Sequence, residues 1–151
     1  MRFIDDYFPL IVTVSANKMD AAEVQALSEG FEKYFLRGER YALLNTTPRD
    51  FQIPDNSVRM LISQWINHPR VRDFTKRLCV GAATVNRNVL YRVAFNVVMA
   101  FQKPATQMEC VANLEQGLDF CLGRLKAERL VTAKPLDLIR YELLEQLRPI
   151  T

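Results

Sequence analysis

Leu78-Cys79-Val80-Gly81-Ala82-Ala83-Thr84-Val85 is a continuous run of small and apolar residues without a charge. A strand with one solvated face alternates apolar and polar residues. A run without alternation predicts a strand covered on both faces, as in parallel sheets with helices on each side. Outward from this run the chain keeps a regular beat. Upstream, Leu10 to Val14 and Tyr41 to Asn45 read as two further core strands, with Phe3 and Ile4 as a short edge strand hairpinned through Asp5–Pro9. Downstream, Gln107 to Val111 is a weaker strand.

Helical patterns fill the intervals. Asp20 with Glu23 forms a capping box, Val24, Leu27, Phe31 and Tyr34 follow at helical spacing, and Gly38 is placed to stop the helix over 20–37. Asp55, Asn56 and Ser57 are alternative caps for a helix whose apolar face is Val58, Leu61, Ile62, Trp65 and Ile66; Pro69 interrupts or kinks it, and the pattern resumes to about Lys76. Asn86-Arg87-Asn88 caps a helix with Val89, Leu90, Val93, Ala94, Val97, Val98 and Phe101 on a broad apolar face. Asn113 with Gln116 opens a helix built on Leu114, Leu118, Cys121, Leu122 and Leu125. Strand alternating with helix predicts an α/β fold with a mostly parallel sheet of four to five strands and right-handed crossovers. The domain closes near residue 130. Over 131–151, Leu136, Ile139, Leu143 and Leu147 mark an appended amphipathic helix at 135–148. Its stripe is buried either on its own domain or on another chain, as a partner or dimer helix.

Composition narrows the function classes. The chain has 151 residues, is 49% hydrophobic and 25% charged, and carries a net charge of +3. This is ordinary globular usage, and +3 gives weak steering toward nucleic acid. The longest strongly apolar stretch, Val93 to Phe101, is broken by Asn96 and falls far short of the ~20 residues of a membrane span. Asp5 and Asp6 stand where a secretory leader needs its apolar stretch. Cys79, Cys110 and Cys121 form no CxxC pair and have no neighbouring His, so reduced, buried thiols in a cytoplasmic protein are expected, and neither a metal site nor a cofactor.

The stretch Val58-Arg59 through Trp65, the strand Cys79 to Val85, and Asn88 with Arg92 together resemble the SpoIIAA-like, STAS-type family, in its uncharacterised bacterial branch. The likeness covers about residues 8–129. It implies a non-enzymatic signalling or regulatory module that works by protein–protein contact near the start of the second helix, including as a homodimer. It also implies a phosphorylatable serine in that turn. Ser57 is the only hydroxyl in Pro54-Asp55-Asn56-Ser57-Val58-Arg59, and the second Ser and the Gly of the family turn are missing.

Three sets of residues have a functional and a bland reading. Ser57 is a phosphosite at a helix N-terminus, where free N–H groups favour phosphate, or simply a cap. Between Arg59 and Arg92 seven basic residues stand against one acid, Asp73. Arg59, Arg87, Asn88 and Arg92 therefore form a rim for a small anionic ligand, a lipid headgroup or a partner's acidic patch, or they are solvated separately. No Gly-rich phosphate loop accompanies them. His68, in Asn-His-Pro-Arg at a helix break, lacks the nucleophile or orienting carboxylate that a general base needs. No catalytic constellation is present, and no enzyme activity is expected.

Overall fold

The computed structural model describes residues 1–102 and 104–151, with the side chains of 98–102 left aside. Its elements in chain order are β1 (Arg2–Ile4), β2 (Leu10–Val14), α1 (Ala21–Arg37), β3 (Tyr41–Thr46), α2 (Asn56–Asn67), α3 (Pro69–Leu78), β4 (Cys79–Val85), α4 (Val89–Gln102), β5 (Met108–Val111), α5 (Leu114–Ala127) and α6 (Leu136–Leu147). The fold is α/β, with a five-stranded, mostly parallel sheet in the order β1-β2-β3-β4-β5. Only β1 runs antiparallel. Because β2 to β5 are sequential and parallel, crossovers of one hand put every connecting helix on the same face. Helices α1 to α4 lie there, and α5 with α6 cover the other face.

Strand alternation sorts the side chains between the two layers. Leu10, Val12 and Val14, Ala42 and Leu44, and Val80, Ala83 and Val85 meet α5 and α6 in one core. Ile11, Tyr41, Cys79 and Ala82 meet Phe31, Tyr34 and Phe35 of α1 and Val71 of α3 in the other. Every residue of β2 and of β4 is buried, as a strand covered on both faces requires. A bulge between the Tyr41 and Ala42 pairings lets Val80 and Gly81 both turn toward α5. Arg124 of α5 fills the space over Gly81, and its Nε donates to the Val80 carbonyl at 2.8 Å.

Local chemistry sets the boundaries. Asp20 accepts from the Glu23 amide, and Gly38 stops α1 at φ 68°, in the left-handed region. Asn113 accepts from the Gln116 amide at the start of α5. Pro69 does not merely kink one long helix. It opens a separate α3, and His68 caps both pieces from an extended conformation. Gly117 allows α5 to approach the sheet, since a Cβ there would lie 2.8 Å from both Leu44 and Val85 side chains. Helix α6 docks on its own chain. Ile139, Leu143 and Leu147 have no exposed surface and share the core of the sheet's second face, with Leu136 half-buried at its rim. Among the described residues no helix is long and apolar enough to cross a membrane.

One helix departs from its expected orientation. Val89, Leu90, Val93 and Val97 of α4 are 51–78% exposed, and Ala94 is exposed too. Among the described side chains of α4, Tyr91 and Phe95 are the ones that line the space beneath the helix. Sequence periodicity finds the wide apolar arc but not which part faces the sheet. The inward positions are taken by the two aromatics, which reach further across a gap than valine does. Val98 and Phe101 of the expected face lie outside the described side chains.

Candidate functional site

A cavity of about 230 Å³ lies between the α1–α4 layer and the sheet. Small residues on β4, the strand between β3 and β5, create it. Ala82 of β4 stands opposite Leu43 of β3 and Met108 of β5, and its methyl leaves the helices above it unsupported. Aromatic groups form the walls: Phe31 and Phe35 from α1, Trp65 from α2, and Tyr91 and Phe95 from α4. Phe31 and Trp65 are 5.6 Å apart between centroids, and Phe51 closes edge-on against Tyr91 at 6.3 Å. Ile66, itself exposed, marks the outer end. Among the described residues no Asp, Glu, Lys, Arg or His side chain lines the cavity, and the α-ammonium of the lining residue Met1 pairs with Glu23.

The floor is polar at one end only. Thr13, Asn45 and Thr84 are paired neighbours on β2, β3 and β4 and form a row across the C-terminal ends of these strands. Asn45 Oδ1 accepts from Thr13 Oγ1 at 2.9 Å and from Ser15 Oγ at 3.4 Å. That orientation turns the Asn45 amide nitrogen away from both hydroxyls. Among the described residues neither this nitrogen, the Thr84 hydroxyl nor the Tyr91 hydroxyl has a side-chain hydrogen-bond partner, although Asn45 and Tyr91 are half-buried and Thr84 is buried. Burial pushes the Tyr91 phenol above its ordinary value, so it stays protonated and can donate. The arrangement is an apolar slot with hydrogen-bond donors at one end, the usual build of a small-molecule site.

The residues singled out in the sequence sit elsewhere. Ser57 is exposed and its hydroxyl donates to Asp55 Oδ1 at 2.6 Å. Asp55 also caps α2 by accepting from the Val58 amide. The Ser57 hydroxyl bond, followed by that amide, holds the Asp55 carboxyl below its ordinary range. A phosphate on Ser57 would meet this carboxylate at close range. Arg59 donates to the Asn56 side chain at its own helix start. Arg92 donates to the Asn86 and Arg87 carbonyls at 3.0 and 2.8 Å, and Asn88 accepts from the Tyr91 amide. These groups serve the two helix starts locally, and no hydrogen bond among the described residues joins Arg59 to Arg92. Arg87 is exposed, and its side chain has no hydrogen bond among the described residues. The wider basic stretch is partly neutralised, because Arg70 forms a two-pronged pair with Glu32 of α1 and Arg77 pairs with Asp73.

The thiols are quiet. Desolvation pushes Cys79 and Cys110 up to about 11 and Cys121 higher still. Among the described residues no group of three His, Cys, Asp or Glu is placed to hold a metal. Periodicity does not reveal the cavity, because it reports which faces are apolar and not whether they touch. One signal was available in the sequence. Three apolar strands each carry a polar residue just before their last position, at Thr13, Asn45 and Thr84. Comparison with protein-family models, with curated proteins and with solved structures finds no match to this chain.

Proposed function

We propose that this protein is a STAS-type, non-enzymatic binding module whose ligand is a small apolar molecule held between the sheet and helices α1 to α4. One observation carries the reading: a 230 Å³ cavity walled by aromatic side chains, with no charged side chain among its described lining residues and with donors at one end of its floor. A void of this size is not needed to close the fold, since interiors normally leave few spaces larger than a water molecule. An engineered apolar cavity of roughly 150 Å³ already binds benzene. The sequential parallel strands with an antiparallel first strand support the family resemblance. Three free, buried thiols support a reducing, cytoplasmic compartment.

The anionic ligand expected from the basic rim finds less support. A charged headgroup in this cavity would be desolvated without a countercharge, at a cost of several kcal/mol. Trp65 is the only tryptophan of the chain and lines the cavity, so its fluorescence reports occupancy directly. Titration with small aromatic hydrocarbons and ketones should change Trp65 emission saturably. At 100 times Kd a ligand should add about 2.7 kcal/mol of stability. Absence of both signals across such a set refutes the reading.

A second reading rests on the outward face of α4. A helix that is apolar nearly all round is normally covered, yet Leu90 is 78% exposed. Contact with another protein, a second copy included, would cover it. Light scattering of the wild type and of Leu90→Asp tests the homodimer. A dimer that becomes monomeric supports it, and a monomer in both removes it.

A further inference from the structure

We infer that the cavity selects a neutral molecule of about nine non-hydrogen atoms that carries one carbonyl-type acceptor, and that Asn45 and Thr84 determine this specificity by donating to its oxygen. The inference rests on the cavity reading proposed above and deepens it. Three observations combine.

The first is donor polarity. Thr13 and Ser15 both donate to Asn45 Oδ1, at 2.9 and 3.4 Å, so the acceptor side of the amide is used. What Asn45 offers beyond them is N–H. Thr84 stands beside it in register on β4, and its hydroxyl has no partner among the described residues. Among the described residues no fully buried side-chain nitrogen or oxygen lacks a partner, so these two donors on the cavity lining are open to it, and two adjacent donors are satisfied by one oxygen with two lone pairs. An alcohol satisfies them less well than a carbonyl, because its own hydrogen then needs an acceptor.

The second is the absence of charge. Among the described residues the lining holds no Lys, Arg or His side chain to neutralise a carboxylate and no Asp or Glu to meet an amine, and the α-ammonium of its Met1 is already paired with Glu23. Ketones, esters, lactones and amides are therefore admitted, and carboxylates and ammonium groups are excluded by desolvation.

The third is size. Benzene, with six non-hydrogen atoms, occupies an engineered cavity of roughly 150 Å³, so in proportion 230 Å³ takes about nine. The aromatic walls formed by Phe31, Phe35 and Trp65 suit a ring or a short chain.

The test uses three probes matched in non-hydrogen atom count: acetophenone, n-propylbenzene and benzoate. Affinities are measured by calorimetry at pH 8 on the full chain and on Thr84→Val, which keeps the shape and removes the hydroxyl. Comparing each probe with itself across variants cancels the probes' different solubilities in water. Thr84→Val should weaken acetophenone roughly three- to tenfold and leave n-propylbenzene unchanged. Asn45→Leu should do the same, and Thr84→Val alone carries the test if Asn45→Leu does not fold. Benzoate should bind at least tenfold more weakly than acetophenone to the wild type. Equal effects of Thr84→Val on the ketone and the hydrocarbon, or benzoate binding as well as the ketone, overturn the acceptor selectivity while leaving an apolar site in place. Failure of all three probes to bind overturns the inference together with the cavity reading beneath it.

Discussion

Replacing Leu143 by Ala tests whether α6 belongs to the folding unit. Leu143 has no exposed surface and lies in one core with Leu118, Leu122, Ile139 and Leu147. The change removes three carbons, worth about 0.8 kcal/mol each, or about 2.4 kcal/mol in lost transfer energy. A cavity term adds to this because neighbours relax only partly, which brings the expected loss to about 3–4 kcal/mol. Against a typical total of about 5–15 kcal/mol this is a large fraction. Urea unfolding should be followed by Trp65 fluorescence and by far-ultraviolet circular dichroism. Trp65 packs on the opposite face of the sheet, so a common shift in both signals shows that α6 unfolds with the whole domain. The midpoint should not depend on protein concentration, because the stripe is satisfied within one chain. A loss below about 1 kcal/mol, or a midpoint that moves with concentration, would refute this account of α6.

Three further outcomes follow from the same packing. Ala82→Leu points its added carbons into the cavity, so the fold should tolerate it without the usual overpacking loss of about 1–3 kcal/mol, while saturable Trp65 quenching by apolar probes disappears. Thermal melts should separate two glycines of α5. Gly117→Ala drives a methyl to 2.8 Å from Leu44 and Val85 and should destabilise by about 1–3 kcal/mol, whereas Gly123→Ala meets open space and should stabilise by roughly 0.5–1 kcal/mol. Asp5 bonds Lys33 at 2.8 Å and Tyr34 at 3.2 Å, and the Lys33 bond is the main cause of a carboxyl held below its ordinary 3.8. A carboxylate whose pKa is lower in the folded than in the unfolded state stabilises above the ordinary value and loses that contribution as pH falls through the folded one. Stability measured from pH 5 downward should therefore fall less steeply in Asp5→Asn than in the wild type, by no more than about 1 kcal/mol for so exposed a pair.

The contrast between β4 and α4 shows what a one-dimensional pattern conveys. The apolar run at 78–85 has one physical meaning, burial on both faces, and a parallel sheet follows from it directly. Caps are equally local: Asp20, Asn113 and Gly38 act on amides or angles within four residues of themselves. Ser57 and Arg92 were legible only as residue types near helix starts. Their partners, the Asp55 carboxylate and the Asn86 and Arg87 carbonyls, decide that they hold their own turns together.

The sequence alone determined the order of strands and helices, their approximate limits and the α/β class. Each of these depends on periodicity and near-neighbour chemistry. Tertiary structure decided the rest. It placed the α6 stripe on its own chain, turned the valines of α4 outward, and brought Thr13, Asn45 and Thr84 side by side from three separate strands. It also left a cavity over Ala82. A cavity is a mismatch between the volumes of facing layers, and no segment carries that information by itself.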